Sequence, residues 1–240
     1  MIKFFRNIRK NLLTDNKFNK YLVYAIGEIF LVVIGIMIAL QINNWNNKRI
    51  EREEEEKSYL NIQRQITDDK NALLEVVGHN NFYAGTYQYG VKLIMTGNRS
   101  KIDSLALVAM GLSQFSDFHN SGNIYQTLVN SGGLKMLKNS KITSAIQKLE
   151  TTYILANKLE NIHWELIINE LSPEMKGVIN YATVKAVKPD KLYSVEIQNI
   201  FIEVIELSKI KNAVYEQALV EIDSITRLIN EELNITTFSQ

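Results

Sequence analysis

The chain contains no cysteine in 240 residues. That absence excludes disulfides, thiol catalysis and cysteine-ligated metals, so a domain in an oxidising compartment has to be held by packing alone. Signatures of chemistry are missing as well. No serine sits in a Gly-x-Ser-x-Gly elbow, and Ser131, Gly132, Gly133 and Leu134 lack the spacing to a Lys-Ser/Thr pair that a phosphate loop requires. No strand-like alternation bounded by hairpin turns stands out. An excess of one charge is lacking too: 27 basic and 26 acidic residues leave a net charge of +1, which gives no reason to expect nucleic acid as a partner. No cofactor and no enzymatic activity are expected from this inventory.

Charge is scarcest in residues 21–42, YLVYAIGEIFLVVIGIMIALQI, where Glu28 is the only charged residue. The stretch has the length of one bilayer-spanning helix. Its 13 Leu, Ile, Val and Phe residues contribute about −6 kcal/mol on an insertion scale, against about +3 kcal/mol for a central carboxylate. Insertion therefore wins. The run is longer than the roughly 7–15-residue core of a cleaved signal peptide, and small-residue spacing for cleavage is missing near Gln41. Core helices of soluble proteins are usually shorter and amphipathic.

The flanks orient the span. Lys3, Arg6, Arg9, Lys10, Lys17 and Lys20 precede it, and Lys48, Arg49, Arg52 and Lys57 follow. This bias, together with a long domain behind a first apolar segment, places the N-terminus in the cytoplasm. The expected layout is a basic amphipathic cytoplasmic segment over 1–20, an uncleaved signal-anchor over 21–42 in the inner membrane, and a periplasmic all-α domain over 43–240, with Trp45 as the outer interface anchor. Up to Ile42 there are six basic and two acidic residues, and beyond it 21 and 24, so the exported part is slightly acidic. Within the leading MIKFFRNIRKNLL, Ile2, Phe5, Ile8 and Leu12 share one helical side. Two readings fit: a helix lying on anionic lipid, or a topogenic basic flank.

Beyond the span the pattern is helical. Tyr59, Ile62, Ile66, Leu73 and Val77 recur at three-to-four spacing, extending the membrane helix outward, with Gly78, Gly85 and Gly90 loosening the stretch before a stop at Gly97. The repeated Asn-Ser-Gly at 120–122 and 130–132 brackets a short helix. A long pattern from Ser140 reaches Leu171, where Ser172 is placed to cap a new helix with Pro173 in its first turn. After a turn at 188–191, a stripe runs from Ile197 to Ile229 with an interruption near 209–212. The predicted fold is an all-α helical bundle.

Few residues suggest chemistry. Glu160 and His163 have the Glu-x-x-His spacing of a di-iron bundle, but neither His79 nor His119 has a glutamate three residues earlier, so His163 reads as an ordinary bundle histidine. Asp117 and His119 read as a polar loop. The acidic run at 53–56 reads as a solvated helix face flanked by Arg49, Arg52 and Lys57. No metal site is expected.

Glu28 is weighed differently, because an intramembrane carboxylate is a functional group by default. Glu28, Val32, Gly35 and Ala39 share one face at alternating four- and three-residue, coiled-coil-like steps, with small-xxx-small spacing between Gly35 and Ala39. Either this face associates with a second copy or a membrane-protein partner, or Glu28 snorkels to the cytoplasmic headgroups.

The stretch YLVYAIGEIFLVVIGIMIALQINNWNNKR and the later YQTLVNSGGLKMLKNSKI, with Tyr125, Leu128, Ser131, Gly132, Leu134 and Asn139, resemble a bacterial family of uncharacterised single-pass membrane proteins. The resemblance implies an inner-membrane protein with a helical domain outside the cytoplasm, and no catalytic residues. The expected function is a membrane-anchored interaction module, sensor-like or scaffolding. The alternative is a subunit of a larger membrane transport or enzyme complex.

Overall fold

The structure, a computed structural model, describes residues 18–118 and 124–235. The leading basic segment 1–13, the first Asn-Ser-Gly and His119 lie outside the described residues. The chain divides into two compact units, Met1–Glu54 and Glu55–Gln240. A single helix, α1, is assigned over Phe18–Met95 and so contributes to both. The other elements are a 3-10 turn at Arg99–Lys101, α2 (Ile102–Gly111), α3 (Ile124–Asn130), a 3-10 turn at Gly133–Lys135 and α4 (Ser140–Leu166). A π-turn (Ile167–Leu171), α5 (Ser172–Met175), a two-residue hairpin of β1 (Ile179–Asn180) and β2 (Lys185–Ala186), α6 (Pro189–Leu192) and α7 (Val195–Glu232) follow. Among the described residues the chain is all-α apart from that hairpin, which was invisible in the sequence because two residues per strand cannot display an alternation.

In the first unit the apolar stretch makes no core. Leu22, Val23, Phe30, Leu31 and Met37 are among its large side chains, and all are exposed. An 18-residue window here has a mean hydropathy of 2.4 and buries none of its residues, so it is long and apolar enough to cross a membrane.

The second unit is a three-helix bundle of α1, α4 and α7 with smaller elements packed on it. Cross-helix contacts fix the register. Gln63 donates to Asn230, Lys70 pairs with Asp223 and Asn80 donates to Asn212, so each step along α1 is matched by an opposite step along α7. The same antiparallel match joins α4 to α7 through Thr152 with Glu221 and Glu160 with Tyr215. Two apolar clusters result. One gathers Tyr59, Ile66, Ile142, Tyr153, Ile222 and Ile229. The other gathers Tyr87, Leu105, Leu171, Leu192, Phe201 and Val204, and takes in α2, α6 and the hairpin.

The punctuation follows local chemistry. Gly97 has φ +60, and the Asn98 N–H donates to the Leu93 carbonyl at 3.2 Å, closing α1 with a Schellman cap. Asn139 caps α4 through the N–H groups of Lys141 and Ile142. Ser172 does not cap a new helix as its position suggested. Its hydroxyl donates to the Ile167 carbonyl at 2.8 Å, and the chain passes through the π-turn into Pro173 without stopping. A wider turn lets the helix direction survive a residue that has no N–H to give. The turn expected at 188–191 is wound into the single helical turn of α6. Two further expectations fail: α7 is unbroken through 209–212, and α1 runs through Gly78, Gly85 and Gly90.

Gly90 does not loosen the helix; it makes room. A Cβ there would lie 2.8 Å from the Phe201 ring and 3.0 Å from Val108, whereas one at Gly85 would meet nothing within 4 Å. Gly85→Ala should therefore stabilise by up to about 1 kcal/mol through helix propensity. Gly90→Ala should destabilise by about 1–3 kcal/mol through overpacking. Urea unfolding of the two variants checks the pair, and an equal gain from both would contradict the close packing of α1 on α7.

Candidate functional site

The two apolar clusters are separated by a polar layer. On α4, Ala156 belongs to one cluster and Ile167 to the other, and between them Glu160 and His163 are 4% and 1% exposed. On α7, Ile205 and Val214 likewise flank Lys211, which is 0% exposed. The segment after α2 supplies Ser116, Asp117 and Phe118, and α1 supplies Asn80 and Asn81.

One turn separates Lys211 from Tyr215 on α7, and slightly less than one turn separates Glu160 from His163 on α4, so each pair presents one face. Glu160 Oε1 accepts from the Tyr215 hydroxyl at 2.5 Å and from the Phe118 N–H at 2.8 Å. Lys211 Nζ donates to the Ser116 carbonyl at 2.9 Å and lies 3.1 Å from His163 Nδ1. An ammonium can only donate, so His163 accepts at Nδ1 and carries its proton on Nε2, an atom with no hydrogen-bond partner among the described residues. The Phe115 ring packs against His163 at 5.6 Å and lies 5.8 Å from the Lys211 ammonium. At the same level Asn80 donates to Asn212 at 2.8 Å, and Asn212 donates to Asn81 at 2.7 Å.

Burial controls the protonation states. Desolvation pushes His163 down to about 3, and the neighbouring Lys211 charge works in the same direction. Desolvation also pulls Lys211 down to about 8, partly offset by the Glu160 and Asp117 carboxylates. Glu160 is raised by its own burial, against the lowering effect of the Tyr215 and Phe118 hydrogen bonds. Tyr215 is raised by desolvation and by the carboxylate it donates to. The Ser116 hydroxyl, near enough to Tyr215 to oppose that rise, forms no hydrogen bond of ordinary geometry.

Glu160 and His163 are brought together within the polar layer. The carboxylate is committed to Tyr215 and Phe118, the imidazole faces an ammonium that repels cations, and among the described residues no three ligating side chains converge. The acidic run at 53–56 is not wholly solvated, contrary to the solvated face expected from sequence. Glu55 is 0% exposed and accepts from the Lys138 N–H at 2.7 Å and from Tyr59 at 3.0 Å, a satisfied acceptor inside the bundle. Burial raises that tyrosine to about 12. Sequence reasoning missed Glu55 and Lys211 although both lie on apolar stripes: Glu55 four residues before Tyr59, Lys211 between Val204 and Ala218.

Beside the polar layer, residues 72–79 of α1 and residues 115–118 enclose a cleft of about 370 Å³. In the first unit, Val32 is 57% and Trp45 68% exposed, and a Cβ at Gly35 would meet nothing within 4 Å. Val32 and Gly35 share one face of that helix, and Trp45 lies on another.

Residues 28–210 match a family of unknown function, DUF6090, and the chain belongs to it. No curated protein and no solved structure matches the chain.

The buried imidazole carries a pH signature. His163 stays neutral in the fold and gains a proton when unfolded, so its contribution is present above its ordinary 6.5 and lost as pH falls toward about 3. Glu160, raised in the fold, acts in the opposite sense and offsets part of this loss. Lys211 adds stability as pH rises from about 8 through 10.5. Between pH 6.5 and 4 the His163 contribution is about 3 kcal/mol at most. Thermal melts across this range should give a flatter acid limb for His163→Gln than for the parent; equal slopes would show that His163 is not buried neutral.

Proposed function

We propose that this chain is a membrane-anchored helical interaction module. Residues 21–42 cross the inner membrane, the N-terminus faces the cytoplasm, and the bundle lies on the periplasmic side. The carrying observation is the exposure of the span's large apolar side chains: Leu31 at 67%, Phe30 at 64% and Ile29 at 65% are surfaces that water disfavours and lipid accepts. A binding role is favoured over catalysis because Lys211, His163 and Glu160, the most chemically capable groups of the bundle, are at most 4% exposed and engaged with one another or with neighbouring protein groups.

The association face of Glu28, Val32, Gly35 and Ala39 is the proposed contact for a second copy or a membrane-protein partner. Small residues let backbones approach, and a carboxylate inside the apolar run is a group that a partner in a larger complex can recognise.

The cysteine-free sequence makes both points testable without background labelling. In spheroplasts, a membrane-impermeant maleimide should label Ser100→Cys at once and Asn11→Cys only after lysis; the reverse pattern would invert the topology. Oxidative crosslinking should trap a dimer through Ala39→Cys and not through Val33→Cys on another face. Equal crosslinking of the two would remove the self-association surface.

A further inference from the structure

The coil after α2, residues 112–118, is held by side chains rather than by other backbone. Among the described residues, Phe115, Ser116, Asp117 and Phe118 make no backbone–backbone hydrogen bond. Three helices hold the coil instead. The Tyr87 hydroxyl of α1 donates toward the Gly111 and Gln114 carbonyls at 2.5 and 3.2 Å, Lys211 of α7 donates to the Ser116 carbonyl at 2.9 Å, and Glu160 of α4 accepts the Phe118 N–H at 2.8 Å. The coil in turn closes the polar layer. Leu112, Ser116 and Phe118 are buried, and the Phe118 ring packs at 5.1 Å from Tyr153 and 6.4 Å from Tyr215. A segment without ladder or helix bonds is the part of a bundle that opens at the lowest cost.

His163 sets the condition for keeping the coil in place. Its Nδ1 turns a lone pair to the Lys211 ammonium at 3.1 Å, so a proton added there puts two cations in contact inside the bundle. The titratable groups around the layer are Lys211 and Tyr215 on α7, Glu160 on the helix of His163 itself, Asp117 in the coil, and Glu75 and His79 where α1 borders the coil. Glu160 is committed to Tyr215 and Phe118. We propose that residues 112–118 form an acid-released strap: protonation of His163 breaks its contact with Lys211, and the coil leaves the layer while the three helices stay packed. Release gives both cations access to water and uncovers Phe118 with Tyr153 and Tyr215, an aromatic surface that the closed form hides. The sign follows from linkage. His163 titrates at about 3 under the strap and near 6.5 in water, so the closed form is favoured above 6.5 and loses ground as pH falls toward 3. Lys211 holds its proton in both forms below about 8, and Glu160, raised by burial, opposes part of the loss. The inference concerns the bundle alone and does not rest on the membrane anchor.

The test is hydrogen exchange of the full chain in detergent micelles between about pH 7 and about pH 4.5, corrected for the pH dependence of the exchange chemistry. Exchange at the Phe118 amide should quicken by about tenfold or more toward acid, while the amides of α7 stay level. In His163→Gln, whose amide oxygen still accepts from Lys211 and takes up no proton, the acid response should disappear. A thiol probe reads the same event from a side chain. Ser116→Cys replaces a buried hydroxyl that has no hydrogen-bond partner among the described residues, and the chain has no other thiol. Its labelling by dithiodipyridine, divided by that of exposed Ser100→Cys at each pH, should rise over the same range and stay flat once His163→Gln is added. Phe118 exchange that does not change with pH would overturn the proposal, as would an acid response that survives His163→Gln. Equal quickening of the α7 amides would overturn it too, because the bundle would then be opening as a whole.

Discussion

A lysine ammonium with no exposed surface is the constraint around which the bundle is arranged. Taking such a charge out of water costs several kcal/mol unless partners replace the hydration shell. Lys211 obtains those partners from two other elements, the Ser116 carbonyl and His163 on α4, with the Glu160 and Asp117 carboxylates near enough to act on its charge. Meeting the requirement fixes the register of α4 on α7 and ties down the segment after α2. Glu160 completes the tie from the other side by accepting the Phe118 N–H. The apolar clusters on either side would tolerate many packings of similar volume. The polar layer does not, because a shifted register would leave a buried ammonium and a buried carboxylate without their contacts.

The same arrangement explains what the sequence disclosed and what it hid. Periodicity marks the three long helices, since Tyr59, Ile62 and Ile66 on α1 and Ile222, Ile225 and Ile229 on α7 are buried as their spacing requires. Glycine chemistry located the end of α1 at Gly97. Hydrophobicity, however, is a poor guide to buried polar groups. Lys211 looked like a break in the stripe and Glu55 like part of a solvated run, although each occupies a core position where tertiary contacts outweigh polarity. Gly90 likewise reads as a flexible residue until Phe201, more than a hundred positions away, is seen to fill the space a side chain would need. The Glu160 and His163 pair was visible, but its partners were not, because hydrogen bonds between α4 and α7 depend on a register that no local pattern records.

The chain thus combines two surfaces under different physical rules. The span presents large apolar side chains such as Phe30 and Leu31 to its surroundings, whereas the bundle buries two apolar clusters on either side of a polar layer. Membership of a family of unknown function covers most of both.

The central claim is that Lys211, His163, Glu160 and Tyr215 act as one coupled unit that specifies the bundle. A double-mutant cycle with Lys211→Met and Glu160→Gln, read by urea unfolding of the full chain, tests it most directly. The account predicts a coupling of about 1–3 kcal/mol, the double variant losing less than the two single losses combined. Additivity within about 0.5 kcal/mol would contradict it and reduce the polar layer to independent contacts.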